Sequence, residues 1–526
     1  MSGSERSVAR MNRENTTNGN KRLAKNTLFL YLRMLLSISV SLYTSRVVLQ
    51  VLGASDYGVY TLVGGVVSMF TFLNTAMSAA TSRFLTFEMS GDNPTKLRDT
   101  FSSAFIIHCG IALAIVVLAE TVGLWWIDNK LVIPAGRMFA AKVVYQCSVI
   151  SVIFTITQVP YSADIIAHEK MDIYAYVELL NVGLKLLIVY LLLLIAADKL
   201  ITYAIMVLGV TVTINLTYRF YCIRNYEESH LRWVWDKKLL KPMLSFSGWN
   251  MMSELGYSFR VQGSNMVLNM FFGTIVNAAA GIASTVQGVL LGLVANVVTA
   301  VRPQIIKNYA VKDLHRMNRL MTSSIRLNLL LVVLLTVPMF VSAPYILKLW
   351  LGEVPEYCVP FCRLLLFAIF ITSVSQIVTI GIQATGNIRQ TSLVRNVIYL
   401  STPFVIYLVL KFFSDNPVLG YVIIVISQMT ACLTDIYILH RTIPEIDTRS
   451  IFIDYLKSLA IGGSVVYLGM YLPGAVGDSF LPVVRDVFIE CLLLATLFMI
   501  FMFKKHERET IFRTLRTFLN KILHKS

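Results

Sequence analysis

Long apolar stretches separated by short polar segments dominate the pattern along the chain. Each is long enough to cross about 30 Å of hydrocarbon as a helix of roughly 20 residues. Period-two alternation, the signature of half-buried strands, is not found in them, and open sheet edges cannot face lipid. We therefore predict an all-α polytopic membrane protein with about fourteen transmembrane helices. The predicted spans are 26–52, 57–87, 99–127, 136–160, 173–197, 199–222, 243–271, 275–301, 324–349, 361–385, 391–413, 416–440, 452–472 and 482–503.

Two parts of the sequence repeat at nearly the same offset. The chain reads VLQVLGASDYGVYTLVGGV around Gly53 and VLNMFFGTIVNAAAGIASTV around Gly273. The outer end of span three reads LWWIDNKLVIPAGR, and that of span nine reads LWLGEVPEYCVPFCR. Spans one and seven start on the same side, so we predict parallel repeats about an axis along the membrane normal. Two six-helix lobes, with two C-terminal helices left over, make a transporter architecture.

The polar segments give the domain boundaries. In order, we predict a disordered cytoplasmic tail (1–24), an N-lobe of spans one to six (25–222), a cytoplasmic linker (223–242), a C-lobe of spans seven to twelve (243–441), spans thirteen and fourteen (450–503), and a basic amphipathic cytoplasmic tail (504–526). The last tail has the pattern of a helix lying on an anionic membrane surface. A helix bound by a protein partner is the alternative.

Composition and charge fit this picture. The chain is 56% hydrophobic and only 14% charged, with a mean hydropathy of +0.67, which a soluble protein of this length would not have. The net charge of +16 comes mostly from Lys and Arg in alternate loops and both tails. That bias is the positive-inside rule, and it predicts that both termini are cytoplasmic. Nucleic-acid binding is not expected, because the basic loops are short and lack interleaved aromatic residues.

Enzyme chemistry is not expected either. We find no nucleotide-binding loop and no paired metal motif, and the outer loops are too short to hold a catalytic domain. Cys358 and Cys362 have no histidine nearby and are interpreted as packing thiols. We therefore predict no catalytic residues, no cofactor and no metal site.

Charged and amide residues inside the spans are the candidate functional residues, since ions are costly in hydrocarbon unless they face a cavity or a partner. Span seven is the richest: polar residues from Asn250 to Asn269 recur at three- and four-residue steps on one face, which predicts a wet surface opposite span one. Cations outnumber anions, so an anionic substrate group is expected. The predicted substrate-binding residues are Arg33, Arg46, Lys142, Lys185, Asn250, Arg260, Gln262 and Asn265, and the predicted ion-coupling residues are Glu178 and Glu254.

Structural roles for the same residues remain open. Polar side chains in spans often bond to neighbouring helices. Arg46 and Lys142 could extend to the membrane interface, and Glu178 could form an ion pair with Lys185.

The chain resembles the flippase superfamily that contains multidrug and toxin extruders, lipid II flippases and polysaccharide/O-antigen flippases, the last being the most similar. The segments that carry the resemblance are SRVVLQVLGASDYGVYTLVGGV (45–66), QVPYSADIIAHEKM (158–171), SFSGWN (245–250), VRPQIIKNYA (301–310) and LKLWLGEVPEYCVPFCRLLL (347–366). The resemblance implies two six-helix lobes in a V-shape that alternate between inward- and outward-open states. It also implies location in a bacterial inner membrane.

The implied cargo is an undecaprenyl-pyrophosphate-linked oligosaccharide, a repeat unit for O-antigen, capsule or exopolysaccharide and hence for lipopolysaccharide biosynthesis. A pyrophosphate head needs positive countercharge in a low-dielectric cavity, which fits the interior cations. Proton or sodium coupling is plausible, and a glycan polymerase or ligase is a possible partner. A lipid II flippase and a drug or cation antiporter of the same superfamily are the alternatives.

Overall fold

The computed structural model describes residues 37–67, 69, 81, 84–85, 88–89, 93–168, 170–232, 237–386, 388–471, 480–505 and 507–509, with the backbone alone at 171, 174–175, 237–254, 296, 299–300 and 303. We label the helices in chain order: α1 (Ser37–Val67), α2 (Pro94–Asn129), α3 (Met138–Ala167), α4 (Met171–Leu194), α5 (Lys199–Asn225), α6 (Lys237–Phe272), α7 (Thr274–Ala310), α8 (Leu314–Val341), α9 (Ala343–Leu351), α10 (Cys358–Ala384), α11 (Arg389–Phe412), α12 (Val418–Thr442), α13 (Thr448–Gly469) and α14 (Phe480–Phe501).

These helices confirm the all-α prediction, and the described part of the chain contains no strand. Among the described residues, eleven helices are long and apolar enough to cross a membrane. The prediction of about fourteen spans is consistent with them, because α1 covers parts of the first two predicted spans and two further long helices, α6 and α14, lie in predicted spans. Helix α6 is more polar than the eleven, and α14 is strongly apolar but carries three charged residues, Arg485, Asp486 and Glu490. The predicted tail 1–24 and the apolar face of the C-terminal tail lie outside the described residues.

The chain divides into two compact units. The first comprises residues 1–52, 77–116 and 146–243, and the second comprises residues 53–76, 117–145 and 244–526. This grouping follows spatial contacts, whereas the predicted lobes follow the sequence repeat. The boundaries of the N-lobe and C-lobe therefore stay a prediction.

The first unit is built around aromatic packing between α2, α3 and α5. The rings of Phe101 and Tyr161 meet edge to face at 5.3 Å, and both side chains are fully buried in the core. Helix α5 begins at a side-chain cap, because Asp198 accepts hydrogen bonds from the backbone N–H groups of Leu200 and Ile201. The aromatic contact therefore lies near the end of α3, and the Asp198 cap fixes the start of α5.

The second unit is built around α10, which packs against α7, α8 and α12. Its sequence carries a single charged residue, Arg363, and 78% of its most apolar window is buried inside the protein. A helix that is apolar all round is expected to occupy a core. Helix α10 is therefore the core helix of this unit.

The repeated glycines have the same backbone conformation. Gly53 and Gly273 both have a φ of 74°, a left-handed value that glycine adopts without the steric cost of a Cβ atom. Gly273 lies between α6 and α7, whereas Gly53 lies within α1. The arginines of the other repeated segment differ in their partners: Arg137 pairs with Asp56, whereas Arg363 donates to the Phe340 carbonyl at 3.0 Å.

Candidate functional site

A cavity of about 50 Å³ with both polar and apolar lining residues lies in the second unit between α6, α7, α10 and α12. That volume holds a few water molecules, since one water needs about 10–15 Å³ by this measure. Predicted site residues Arg260 and Asn265 lie on its wall. The other polar lining residues are Tyr257, Ser284, Gln287, Thr372, Tyr421 and Gln428. No carboxylate is among the lining side chains in the described part of the chain.

Arg260 is the only charged side chain that lines this cavity among the described residues. It is only 5% exposed, and its guanidinium lies 4.4 Å from the ring centre of Tyr399 and 5.2 Å from that of Tyr257. Its Nη1 atom donates a long hydrogen bond, 3.5 Å, to the Ile424 carbonyl, and its Nε atom has no partner among the described residues. Two aromatic faces thus stabilise a desolvated cation by roughly 2 kcal/mol or more, while its donors stay largely unused.

Behind the cavity lies a partly buried ion pair that the sequence analysis missed. Arg395 of α11 pairs with Asp435 of α12, and Asp435 also accepts a 2.8 Å hydrogen bond from Ser375 of α10. One helical turn further along α11, the Tyr399 hydroxyl donates to Gln428 at 3.1 Å. This network thereby positions the Tyr399 ring, which lies over Arg260, and the Gln428 amide, which lines the cavity.

The first unit contains a larger polar cavity of about 330 Å³ between α3, α4 and α5. This volume lies within the range of small-ligand pockets, roughly 300–1,000 Å³. Predicted site residues Glu178 and Lys185 both line it. These two described side chains do not form an ion pair, so the structure does not support the alternative that Glu178 and Lys185 form a structural pair. The remaining polar lining residues are Thr155, Gln158, Ser162, Asn181, Thr211 and Tyr218.

Two other predicted cations lie away from the cavity walls described above. Lys142 forms a 2.9 Å ion pair with Asp128, and both side chains are more than 40% exposed. Exposed pairs of this kind contribute only about 0–1 kcal/mol. Arg46 is half-buried on α1 in the first unit. Three predicted residues are not described at the level of their side chains, because Arg33 lies before residue 37 and Asn250 and Glu254 fall within the backbone-only part of α6.

The polar stripe of span seven forms on α6 as a helical face, but several of its side chains contact protein rather than water. Ser258 donates to the Met69 carbonyl at 3.0 Å, and the Gln262 amide oxygen packs directly against Gly65. Asn269 is fully buried. It accepts from the Val132 N–H at 2.8 Å and donates to the carbonyl of the same residue.

This arrangement corrects the expectation of a continuous wet face. Backbone groups of other segments, rather than solvent, satisfy Asn269 and Ser258. The expectation that spans one and seven face each other stays a prediction, because the residue that Gln262 meets, Gly65, belongs to predicted span two. Of the described stripe residues, Asn265 is the one that lines the cavity.

A second missed group lies in the first unit, where Asp164, His168 and Glu228 converge. His168 and Glu228 are 60 positions apart, so no local spacing signals the contact.

A search for acidic residues within predicted spans would have found Asp435, because such residues are functional candidates by default.

No family model and no curated protein matches the chain. Among solved structures, it is similar to the lipid II flippase MurJ in an inward closed conformation, with a TM-score of 0.67, 14% identity, and coverage of 90% of this chain and 98% of that one. It is also similar to a multidrug resistance MATE family transporter of the MOP superfamily. For the inward-facing form, the TM-score is 0.60 at 13% identity over 79% of this chain and 95% of that one.

The outward-facing form of that transporter gives a TM-score of 0.59 at 13% identity, over 80% of this chain and 96% of that one. Identities this low establish the fold alone. The chain is a multi-pass membrane protein whose fold is similar to those of MurJ and of the MATE transporter.

Proposed function

We propose that the protein is a flippase for an undecaprenyl-pyrophosphate-linked oligosaccharide, such as a repeat unit of O-antigen, capsule or exopolysaccharide. It would carry this lipid from the inner to the outer leaflet of a bacterial inner membrane by alternating access, with both termini in the cytoplasm. The observation that carries the proposal is the cavity around Arg260, which has a buried cation, several amides and no carboxylate among its described lining residues.

The chemistry of this cavity suits an anionic, sugar-bearing head group. A guanidinium binds phosphate oxygens through charge-assisted, often bidentate hydrogen bonds, and the Nε of Arg260 is available for one. The amides of Asn265, Gln287 and Gln428 can each donate to and accept from sugar hydroxyls. Because the cavity holds only a few waters, α6 must separate from α10 and α12 to admit a substrate.

Glu178 is the described carboxylate that we propose for ion coupling. It is half-buried and lines the cavity of the first unit beside Asn181. A partly desolvated carboxylate beside amides can bind a proton or a sodium ion as the environment changes. Neutralisation by Glu178→Gln would then uncouple transport from the ion gradient.

Two other cargoes fit the same fold. The MurJ neighbour is a lipid II flippase, and a pyrophosphate-linked cell-wall precursor would use Arg260 in the same way. A drug or cation antiporter would need a negative cavity, and the cavity at Arg260 has the opposite charge. The neighbouring genes would separate the first two cargoes, since glycosyltransferases favour a repeat-unit flippase.

The test is export of surface glycan in cells that depend on this protein. We expect Arg260→Ala to lower export at least tenfold, because a hydrogen bond to a charged group contributes about 1.5–3 kcal/mol. Arg260→Lys should retain part of the activity if charge alone matters, and little if two-point contact matters. The matched control is Arg441→Ala, which removes an exposed arginine that also lies over a tyrosine ring. Normal export by a correctly inserted Arg260→Ala protein would refute the proposal.

A further inference from the structure

Three potential metal ligands meet where α3 ends and the 223–242 linker begins, all within the first unit. Asp164 lies in the last turn of α3, His168 follows that helix, and Glu228 lies in a short 3-10 helix, Glu227–Ser229. Their ligand atoms all lie within 4.8 Å of one another. The His168 Nε2 atom is 2.6 Å from Glu228 Oε1 and 3.8 Å from Asp164 Oδ1.

An unsatisfied atom points into this cluster. The Asp164 side chain is fully buried, yet its Oδ1 atom has no hydrogen-bond partner. A buried carboxylate oxygen left unpaired costs several kcal/mol unless a proton or a cation neutralises it. Oδ2 of the same carboxylate is already used, since the Ser229 hydroxyl donates to it at 2.8 Å. Oδ1 is therefore oriented toward His168 and left available.

The surrounding side chains hold the three groups in place. The ring of Tyr226 stacks on that of His168 at 3.9 Å with an interplanar angle of 2°, which fixes the plane of the imidazole. Ser229 orients the Asp164 carboxylate, and Glu228 is buried at the same turn. Supporting contacts of this kind orient the ligands in metal sites of proteins. The His168 side chain is 26% exposed, so an ion can enter from solvent.

We propose that Asp164, His168 and Glu228 bind a divalent transition-metal ion of the zinc or manganese class. One imidazole nitrogen and two carboxylate oxygens form a mixed donor set that suits these ions better than the all-oxygen set preferred by calcium or magnesium. With metal–ligand bonds of about 2.0–2.2 Å, tetrahedral ligands stand about 3.4 Å apart. The 3.8 Å separation of the Asp164 and His168 ligand atoms is close to that distance. The 2.6 Å separation of the His168 and Glu228 atoms would lengthen to about 3.4 Å when the ion binds.

The bound ion would tie the linker to the end of α3. Glu228 belongs to the first turn of the segment that joins the predicted lobes, whereas Asp164 and His168 belong to the motif QVPYSADIIAHEKM. A single ion would thereby fix the path of the chain as it leaves α5. This site is independent of the proposed cargo, so its presence or absence leaves the flippase proposal unchanged.

Metal binding by the purified full-length protein tests the proposal. The protein is prepared in detergent with a tag that contains no histidine, stripped with a chelator, and titrated with zinc or manganese by calorimetry. Elemental analysis then gives the stoichiometry. We expect one ion per chain in the wild type, and at least tenfold weaker binding in Asp164→Asn and in Glu228→Gln. Ser229→Ala should weaken binding about 10–100-fold, as losses of supporting contacts do.

The matched control is Glu227→Gln, which removes the neighbouring, exposed carboxylate of the same 3-10 helix. It should bind the ion like the wild type. Failure of the wild-type protein to bind either ion would overturn the proposal without relying on any variant. Equal binding by the wild type, Asp164→Asn and Glu228→Gln would overturn it as well, because the ion would then lie elsewhere.

Discussion

Gly58 allows α1 to contact the start of α7 in the second unit, and adding one methyl group there should break that contact. A Cβ atom on Gly58 would stand 2.0 Å from the Thr274 carbonyl oxygen and 3.1 Å from the Thr274 Cβ. Favourable contacts between non-bonded atoms need about 3.5–4.0 Å. The carbonyl belongs to the backbone just after Gly273, so it cannot turn aside. Gly58→Ala therefore requires the two helices to move apart by more than about 1 Å.

The energetic cost follows from packing. Overpacking by one methyl group in a tight contact typically costs about 1–3 kcal/mol, which shifts a two-state equilibrium about 5- to 150-fold toward the separated form. Gly64→Ala is the matched control on the same helix, because a Cβ there meets no atom within 4 Å. Its effect should be neutral or slightly stabilising, since alanine favours a helix over glycine by about 1 kcal/mol.

A disulfide between Thr61→Cys and Gly281→Cys reports the contact. A Cβ atom on Gly281 would lie 3.4 Å from the Thr61 Cβ, close to the roughly 3.5–4.5 Å of a disulfide. Oxidation should form this disulfide readily in the protein that carries only the two cysteines and in the protein that also carries Gly64→Ala. In the protein that also carries Gly58→Ala, it should form 5- to 150-fold more slowly. Mass spectrometry of the linked peptides measures these rates, because it distinguishes the engineered disulfide from any that involves a native cysteine. Equal rates in the Gly58→Ala and Gly64→Ala proteins would refute the packing argument.

Three further changes test other parts of the structure. Asp435→Ala should lower the free energy of unfolding by about 1.5–3 kcal/mol, because it removes the carboxylate that pairs with the partly buried Arg395; a melting temperature in detergent equal to that of the wild type would contradict this. Asn269→Ala should cost about 1–3 kcal/mol by leaving the backbone groups of Val132 unsatisfied, and an unchanged melting temperature would show that water replaces the amide. A cysteine placed in 223–242 should react with a membrane-impermeant thiol reagent from the cytoplasmic side only, as the charge bias predicts; reaction from outside would invert the topology.

The sequence was sufficient to predict the helices and the polarity of α6, because both depend on local periodicity. It also singled out Gly53 and Gly273, whose left-handed backbone is needed at equivalent places of the repeat. Local periodicity does not determine what a polar helix face contacts. Asn269 is bonded to Val132, which is 137 positions away, and no pattern within a span distinguishes a backbone partner from water.

The same limit applies to charges inside spans. Arg260 was identified as a candidate because ions are rare in hydrocarbon, and the structure puts it on a cavity wall. Its second aromatic neighbour, Tyr399, comes from another helix far along the chain. Lys142 satisfied the same criterion but pairs with Asp128 near a helix end. Burial separates these two cations, since Arg260 is 5% exposed and the Lys142 side chain 44%, and sequence spacing does not determine burial.

The central claim is that the protein moves a pyrophosphate-linked oligosaccharide across a bilayer. The most direct measurement uses purified protein in liposomes that contain such a lipid with a fluorescent label on its sugar, quenched from outside by a membrane-impermeant reductant. The account predicts that the wild type and Arg441→Ala exchange the lipid between leaflets far faster than protein-free liposomes, and that Arg260→Ala is at least tenfold slower than the wild type. Exchange no faster than in protein-free liposomes, together with uptake of an organic cation, would contradict the account and favour an antiporter.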